Sequence, residues 1–295
     1  MKKLLFLTYL MLTAFGSVFA QDDYADTTNG KAYELYVVIK NDGTKYVGKI
    51  ISDDARELLL ETEKVGQIYI PKHEIKEVKK IESGQLSKAG EFIADDLFAT
   101  RYFISTNGLP VAKGESYILW NLYGPDFQFA VSDHVTVGVL TSWFAVPIIG
   151  SVKYSASLSE YVHVGVGGLL GTLSYIRPSW GMALPYGTLT LGNKRANISV
   201  SGGYGGYFGD GESGGRALFA VAGLAKINTK FSFVFDSFII PPKSGEPWGS
   251  AYLFIPGLRI ETKEDRAFQF GFAGATFEGE TAPIPIPMIQ WFRKF

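Results

Sequence analysis

From Ser116 onward the chain is divided by connections of two alternating kinds, and this alternation limits the available folds more than any other feature. One kind is short and polar: Ser132-Asp133, Ser157-Leu158-Ser159, Asn193-Lys194, Ile227-Asn228 and Lys263-Glu264-Asp265. The other is longer and rich in glycine or proline: "YIRPSWG", "YFGDGESGG", "PPKSGEPWGS" and "FEGETAP". Between them lie segments of about nine to thirteen residues, the length a tilted strand needs to cross a bilayer core. The predicted strands fall at about 116–122, 126–132, 134–143, 148–156, 160–173, 180–192, 195–206, 215–226, 229–240, 250–261, 266–276 and 283–295. Short turns at one end and long loops at the other are expected of a transmembrane β-barrel, and an even strand number returns the chain to its starting end.

Side-chain alternation agrees. "RANISVSGGY" places Ala196, Ile198, Val200 and Tyr204 on one face and Arg195, Asn197, Ser199 and Ser201 on the other. "KFSFVFD" and "FQFGF" alternate in the same way. A soluble sandwich also alternates, with its apolar face inward. Aromatics near strand ends (Trp143, Tyr161, Trp180, Phe231, Trp291), 34 glycines and an aromatic content of 15% favour the membrane form. The uncharged run Val135–Val152 has the composition of a membrane helix, but Gly138, Pro147 and Gly150 interrupt it, and Val135, Val137 and Val139 alternate. Two strands around a tight loop are predicted there.

The first residues point to export. Lys2 and Lys3 precede an apolar run from Leu4 to Phe15, and Val18-Phe19-Ala20 offers small side chains where a signal peptidase reads. Residues 1–20 are predicted to be a signal peptide, cleaved after Ala20 with Val18 as the upstream small residue, and 21–33 a linker. The sequence contains no cysteine, which excludes a lipoprotein anchor and disulfide staples alike. Without Lys2 and Lys3 the chain carries 26 basic against 29 acidic side chains, so no nucleic-acid partner is implied.

Residues 34–82 are charge-rich, with short β runs: "ELYVVIK", "KYVGKII", "RELLLET", "GQIYI" and "IKEVKKI". Asp42-Gly43 between the first two is a hairpin signal, because glycine accepts the positive φ of a tight turn. In its "DG" turn, its "YVGKI" strand and its closing "IPKHEIKEV", this stretch resembles Sm-like and SH3-like modules, which implies a five-stranded barrel. The Arg-Gly of the RNA-contacting Sm signature is missing, so RNA binding does not carry over; a docking or gating module is expected, on the periplasmic side. Residues 83–115 are expected to be a linker, with Thr100–Gly114 long enough to enter the barrel lumen as a plug.

The terminal segment "PMIQWFRKF" resembles the carboxyl-terminal assembly signal of outer-membrane barrels, with Ile289, Trp291 and Phe295 on one face. Arg293 stands where that signal usually has a second aromatic, and Gln290 where a glycine is common. The whole chain, including "RYFISTNGLPVAKGESY" ahead of the first strand, is similar to secreted barrel proteins of Bacteroidota-type bacteria. The resemblance implies a Gram-negative outer membrane, with lipid, the secretion and barrel-insertion machineries and a periplasmic or surface protein as partners.

The chemistry-bearing residues are scattered. Ser159 and His163 are close in sequence but lack the motif of a barrel lipase, and His73, His134 and His163 do not form a metal-binding pattern. "GGYGGYFGDGESGG" lacks the Lys-Ser/Thr ending of a phosphate-binding loop; its glycines are read as allowing strand bending and a mobile external loop, with Asp210 and Glu212 as solvated carboxylates or a weak cation site. No cofactor or catalytic residue is expected. Parity gives a polar lumen-lining set: Gln128, Lys153, His163, Arg195, Asn197, Lys230, Asp236, Arg259 and Gln269. The sequence thus predicts an all-β chain, a transmembrane barrel of about twelve strands over 116–295 preceded by a small five-stranded β-domain. The expected function is a narrow passive pore or uptake channel for small solutes. A non-conducting scaffold with binding loops is the alternative, and a barrel lipid hydrolase the third reading.

Overall fold

The computed structural model describes residues 34–81, 85–87, 90–172, 179–242, 249–278, 280–281 and 285–295. The predicted signal peptide with Val18 and Ala20, the linker 21–33, and most of "YIRPSWG" and "PPKSGEPWGS" lie outside the described residues. The chain forms two compact units that divide between Ala94 and Asp95, inside the segment expected to be a linker.

The first unit is a five-stranded antiparallel sheet of β1 (Tyr36–Lys40), β2 (Lys45–Asp53), β3 (Glu57–Thr62), β4 (Gly66–Pro71) and β5 (Ile75–Lys80), in the order β4-β3-β2-β1-β5. The β1–β2 hairpin turns at Gly43, whose φ is 86°, and the Thr44 N–H donates to the Asp42 carboxylate at 2.9 Å. That hydrogen bond and one involving the Thr44 side chain hold the Asp42 carboxyl below its ordinary value. A shift in register between Ile50 and Ser52 bends the long β2 so that it pairs with β1 at one end and β3 at the other. Val38, Leu58, Leu60 and Ile70 form its core. Residues 85–93, expected within the linker, belong to this unit: Leu86 bridges to Phe92, and the Lys45 ammonium lies 5.9 Å from the Phe92 ring centroid.

The second unit is a closed antiparallel barrel of twelve long strands: β6 (Tyr117–Asn121), β7 (Gly124–Ala130), β8 (Val135–Thr141), β9 (Ile148–Ser159), β10 (Val162–Thr172), β11 (Gly181–Gly192), β12 (Ala196–Gly209), β13 (Glu212–Lys226), β14 (Phe231–Ile240), β15 (Ala251–Lys263), β16 (Arg266–Phe277) and β18 (Ile286–Lys294). A two-residue strand, β17 (Glu280–Thr281), pairs with the end of β16. Each long strand pairs with its neighbours in sequence, and β18 closes the cylinder against β6, with Trp291 opposite Trp120 and Gln290 opposite Asn121. Closure leaves no sheet edge. The wall is uneven: β6 has 5 residues and β13 has 15.

The connection expected between the strands at 195–206 and 215–226 is corrected: β12 runs on to Gly209, β13 starts at Glu212, and only Asp210-Gly211 turns. Both turn residues have positive φ, 48° and 84°. The glycines here are sites of close approach: a Cβ at Gly209 would meet the Trp180 ring at 2.6 Å, one at Gly214 the Tyr207 ring at 2.8 Å, and one at Gly215 the Tyr204 ring at 2.5 Å. Asp210 accepts from Trp180 Nε1 at 2.7 Å and Ser179 Oγ at 3.1 Å, so its carboxylate braces this hairpin. Gly211→Val is expected to lower barrel stability by about 1–2 kcal/mol, because a β-branched residue resists positive φ. The unfolding midpoint in urea would register that loss.

Along every strand the outward side chains are predominantly apolar. Val152, Val166, Leu170, Leu189, Val200, Phe219, Phe272 and Trp291 are all exposed, and inward neighbours such as Thr190, Asn197, Ser232, Gln269 and Gln290 are fully buried. A soluble β-protein would show the reverse.

Candidate functional site

The interior at the short-turn end of the barrel is filled by the chain itself. Residues 95–116 leave the rim at Asp96, whose N–H donates to the Lys194 carbonyl at 3.2 Å, and return to it at Gly114, whose N–H donates to Ala130 at 3.2 Å. In between, the segment folds back at Phe103-Ile104, with Arg101 bridged to Thr106. Phe98, Tyr102, Phe103 and Asn107 are 0–2% exposed. The segment is hydrogen-bonded to side chains on β7, β9, β11 to β16 and β18. Contact with strands all around a closed cylinder requires the segment to lie inside it.

Asp96 and Arg259 organise the entry. Arg259 Nη1 donates to Asp96 Oδ1 at 2.7 Å, with both side chains fully buried. Ser232 Oγ donates to the other carboxylate oxygen at 2.6 Å, and the Phe98 N–H to Asp96 Oδ1 at 2.9 Å. The same guanidinium donates to the carbonyls of Phe98 and Arg101 and to Gln269 Oε1, and lies 4.8 Å from the Phe292 ring. A rigid five-donor fork suits this task, since it ties strand, carboxylate and main chain together.

The tip is held by a carboxylate. Asp236 accepts from the N–H groups of Ile104 and Ser105 and from Ser105 Oγ, each at 2.8 Å, which satisfies the backbone of the reversal. Phe103 fits against two glycines: a Cβ at Gly257 or Gly271 would sit 2.5 or 2.6 Å from its ring. Gln290 donates to the Phe103 carbonyl at 2.7 Å and to Asn121 at 2.6 Å, and Gln269 donates to Gln290 at 2.8 Å. On the opposite wall Tyr102 OH donates to Asn197 at 2.6 Å and contacts Ser199 Oγ at 2.7 Å. Arg101 and Asp126 form a second buried ion pair at 2.7 Å. Lys153 donates to Thr106 Oγ1 at 2.9 Å and to the Asn107 carbonyl at 3.0 Å, and the Gly108 N–H donates to Thr190 at 2.8 Å.

Of the residues selected from parity, Gln128, Lys153, His163, Arg195, Asn197, Asp236, Arg259 and Gln269 are buried at the inner face or its short-turn rim. Lys153, Asn197, Asp236, Arg259 and Gln269 converge on the interior segment, and Gln128 donates to Asp126 at 2.6 Å. Arg195 sits at the rim, its guanidinium 4.0 Å from Asp95. Lys230 is corrected: it is exposed in the connection before β14, because the alternation that places it inward begins only at Phe231. Asp96, Arg101, Tyr102 and Asp126 were not singled out from sequence; their pairings span 25 to 163 residues, a separation that local patterning does not reach.

His163 contacts Ser157 Oγ at 2.8 Å and the Gly192 carbonyl at 3.0 Å through its two ring nitrogens, so its serine neighbour is Ser157 rather than Ser159. A backbone carbonyl orients the imidazole but offers an imidazolium less than a carboxylate would. His134 is exposed in the β7–β8 connection, 2.9 Å from the Ser155 carbonyl and against the Tyr154 ring. Among the described residues no group of histidine, aspartate and glutamate is arranged to hold a metal. At the closing seam Trp291 and Phe295 point outward, against Phe268 and Phe129 respectively, and Ile289 shares their face.

No protein-family model matches the chain, and no curated protein matches it. Among solved structures it is similar to the NanC porin, with a TM-score of 0.44 and 12% identity over 61% of this chain and 98% of that one. It is also similar to OmpT, an outer-membrane protein of Vibrio cholerae. The form lacking loop L8 gives a TM-score of 0.40 and 10% identity over 89% of this chain and 97% of that one. The form expressed in the outer membrane gives 0.38 and 10% over 89% and 95%.

Proposed function

We propose that this chain is a Gram-negative outer-membrane barrel whose lumen is closed by its own residues 95–112, so that it acts as a surface scaffold rather than an open diffusion pore. The observation carrying this reading is the interior segment, bonded to inward side chains around the barrel and tied by two buried ion pairs. Twelve strands lie between the filled eight-stranded barrels and the open sixteen-stranded porins, so occupancy of the lumen decides whether water passes. Membrane residence rests on the apolar outer face, where exposed valine, leucine, phenylalanine and tryptophan side chains recur on successive strands. In this reading Ile289, Trp291 and Phe295 present the lipid-facing strand to the insertion machinery.

The short connections mark the periplasmic end, where the first unit is joined. Its Sm-like or SH3-like character and its role as a docking module belong to the same proposal, supported by the order β4-β3-β2-β1-β5 and the turn at Gly43. The test is conductance of the chain from Gln21 in a planar bilayer, beside fractionation of cells producing it. Silence together with recovery in the outer membrane is the expected result. Steady conductance would restore the pore reading, and recovery as a detergent-independent soluble protein would remove the membrane.

A further inference from the structure

Beyond the tip of the interior segment, the inward face of the same strands changes from polar to apolar. Near the short-turn end it presents Thr188, Thr190, Asn197, Ser199, Asp236 and Arg259, all buried. Nearer the other rim the inward positions include Leu169, Met182, Leu184, Leu218, Phe238 and Leu253, all only half-buried, with Tyr186 and Ser201 between the two levels. They form a belt through direct cross-strand pairs: Leu169 with Leu184, Gly203 with Leu218, Ala220 with Phe238, and Phe238 with Leu253. Gly205 and Ala220 keep the belt wide: an added Cβ at Gly205 would find its nearest atom, Leu184 Cδ1, at 3.8 Å, whereas Gly203 is filled by Tyr186 and Leu184, at 3.0 and 3.2 Å from an added Cβ. The floor is apolar as well: Tyr102 and Phe103 of the interior segment pack with Leu224, Val234, Ile255 and Ala273, and Leu253 rests on that cluster.

We propose that this cup is a binding site for one long-chain fatty acid, with the alkyl chain against the belt and floor and the carboxylate towards the rim. An empty cup of this kind would hold half-exposed aliphatic side chains against water, at about 25 cal/mol per Å². A concave, mainly apolar lining with a few placed polar groups is the usual character of a small-molecule site. Arg216, on the inward row of β13, places a positive charge near the rim, where it also donates to the Gly249 carbonyl at 3.2 Å. From Ala222, opposite Asp236 at the level of the floor, to Arg216 is six residues of strand. That is about 20 Å along the strand, the reach of a long-chain acid rather than a short one. The inference rests on the proposed closure only in that the segment supplies the floor.

The test is native mass spectrometry of the full chain in detergent, with palmitate and butyrate as probes. A single bound palmitate and no bound butyrate is expected. Gly205→Trp, which fills the cup without adding charge, and Leu253→Gln, which makes it polar, should each weaken palmitate binding about tenfold or more, a loss of about 1.4 kcal/mol. Leu189→Gln, on the outward face, should leave it unchanged, and heat-dependent gel migration confirms that each variant is folded. Equal palmitate retention by wild type, Gly205→Trp and Leu253→Gln would overturn the proposal as micelle association. So would selective retention of phospholipid from nanodiscs in place of the free acid. Conductance of the full chain with palmitate still bound would remove the closed-barrel reading and leave the site standing.

Discussion

Replacing residues 96–112 by a short glycine-serine linker is expected to turn a silent barrel into a conducting one. The backbone pairing of the cylinder does not run through the segment: its strands are paired all the way round, and β18 closes on β6. The excision exposes the inner charges of Lys153, Lys226 and Arg259 and of Asp126, Asp236 and Glu261, which bond the segment, its immediate neighbours or one another when it is present. With the segment gone they line a space that water can enter, so each recovers hydration instead of remaining buried and unpaired. Because these cations and carboxylates nearly balance, the opened pore should discriminate weakly between anions and cations. Stepwise current from the excised form beside silence from the full chain is the measurement. A folded, excised barrel that stays silent would show that inward side chains alone seal a cylinder of this width, and the segment would then be a brace rather than a closure.

What the sequence made legible follows from how far each signal reaches. Strand periodicity is local, so "RANISVSGGY" assigned Asn197 and Ser199 to one face, and both are fully enclosed. The twelve segments were countable because the turns between them carry their own composition. Parity fails where a strand stops: Lys230 has the parity of Ser232 and Asp236, yet it lies just before β14 begins at Phe231 and its side chain is exposed. In the glycine-rich run from Gly202 to Gly215 the sequence shows where a strand can bend or turn, but not which partners the glycines have. The partners are aromatic rings, and several come from across the sheet or an adjoining turn: Trp180 at Gly209, Tyr204 at Gly215 and Tyr207 at Gly214. The length of Thr100–Gly114 suggested that it could enter the lumen. Its anchors were not legible, since Asp96 lies in "IADDL" and Asp126 in "GPDFQF", each indistinguishable by composition from a solvated loop carboxylate.

Arg259→Leu is expected to have the largest effect of any single substitution in the barrel interior, and it separates the two roles the segment can play. Removing one partner from a fully buried ion pair costs about 3–5 kcal/mol, because the other charge is left without compensation. Here the loss also strips donors from the Phe98 and Arg101 carbonyls and from Gln269. Asp96→Asn in the same background should recover part of the loss, since it removes the stranded charge and keeps the hydrogen bond from Ser232. That recovery in a double-mutant cycle, read from urea unfolding in detergent, is the signature of a true pair rather than of general loosening. The destabilisation also has a ceiling. Once the cost of an unpaired Asp96 exceeds the free energy holding the segment in the lumen, the barrel relieves it by expelling the segment into water. A variant that unfolds much earlier but stays silent therefore holds its segment more tightly than the lost pair, and one that keeps its stability but begins to conduct has let it go. Either result measures the strength of the closure on a scale set by Asp96 and Arg259.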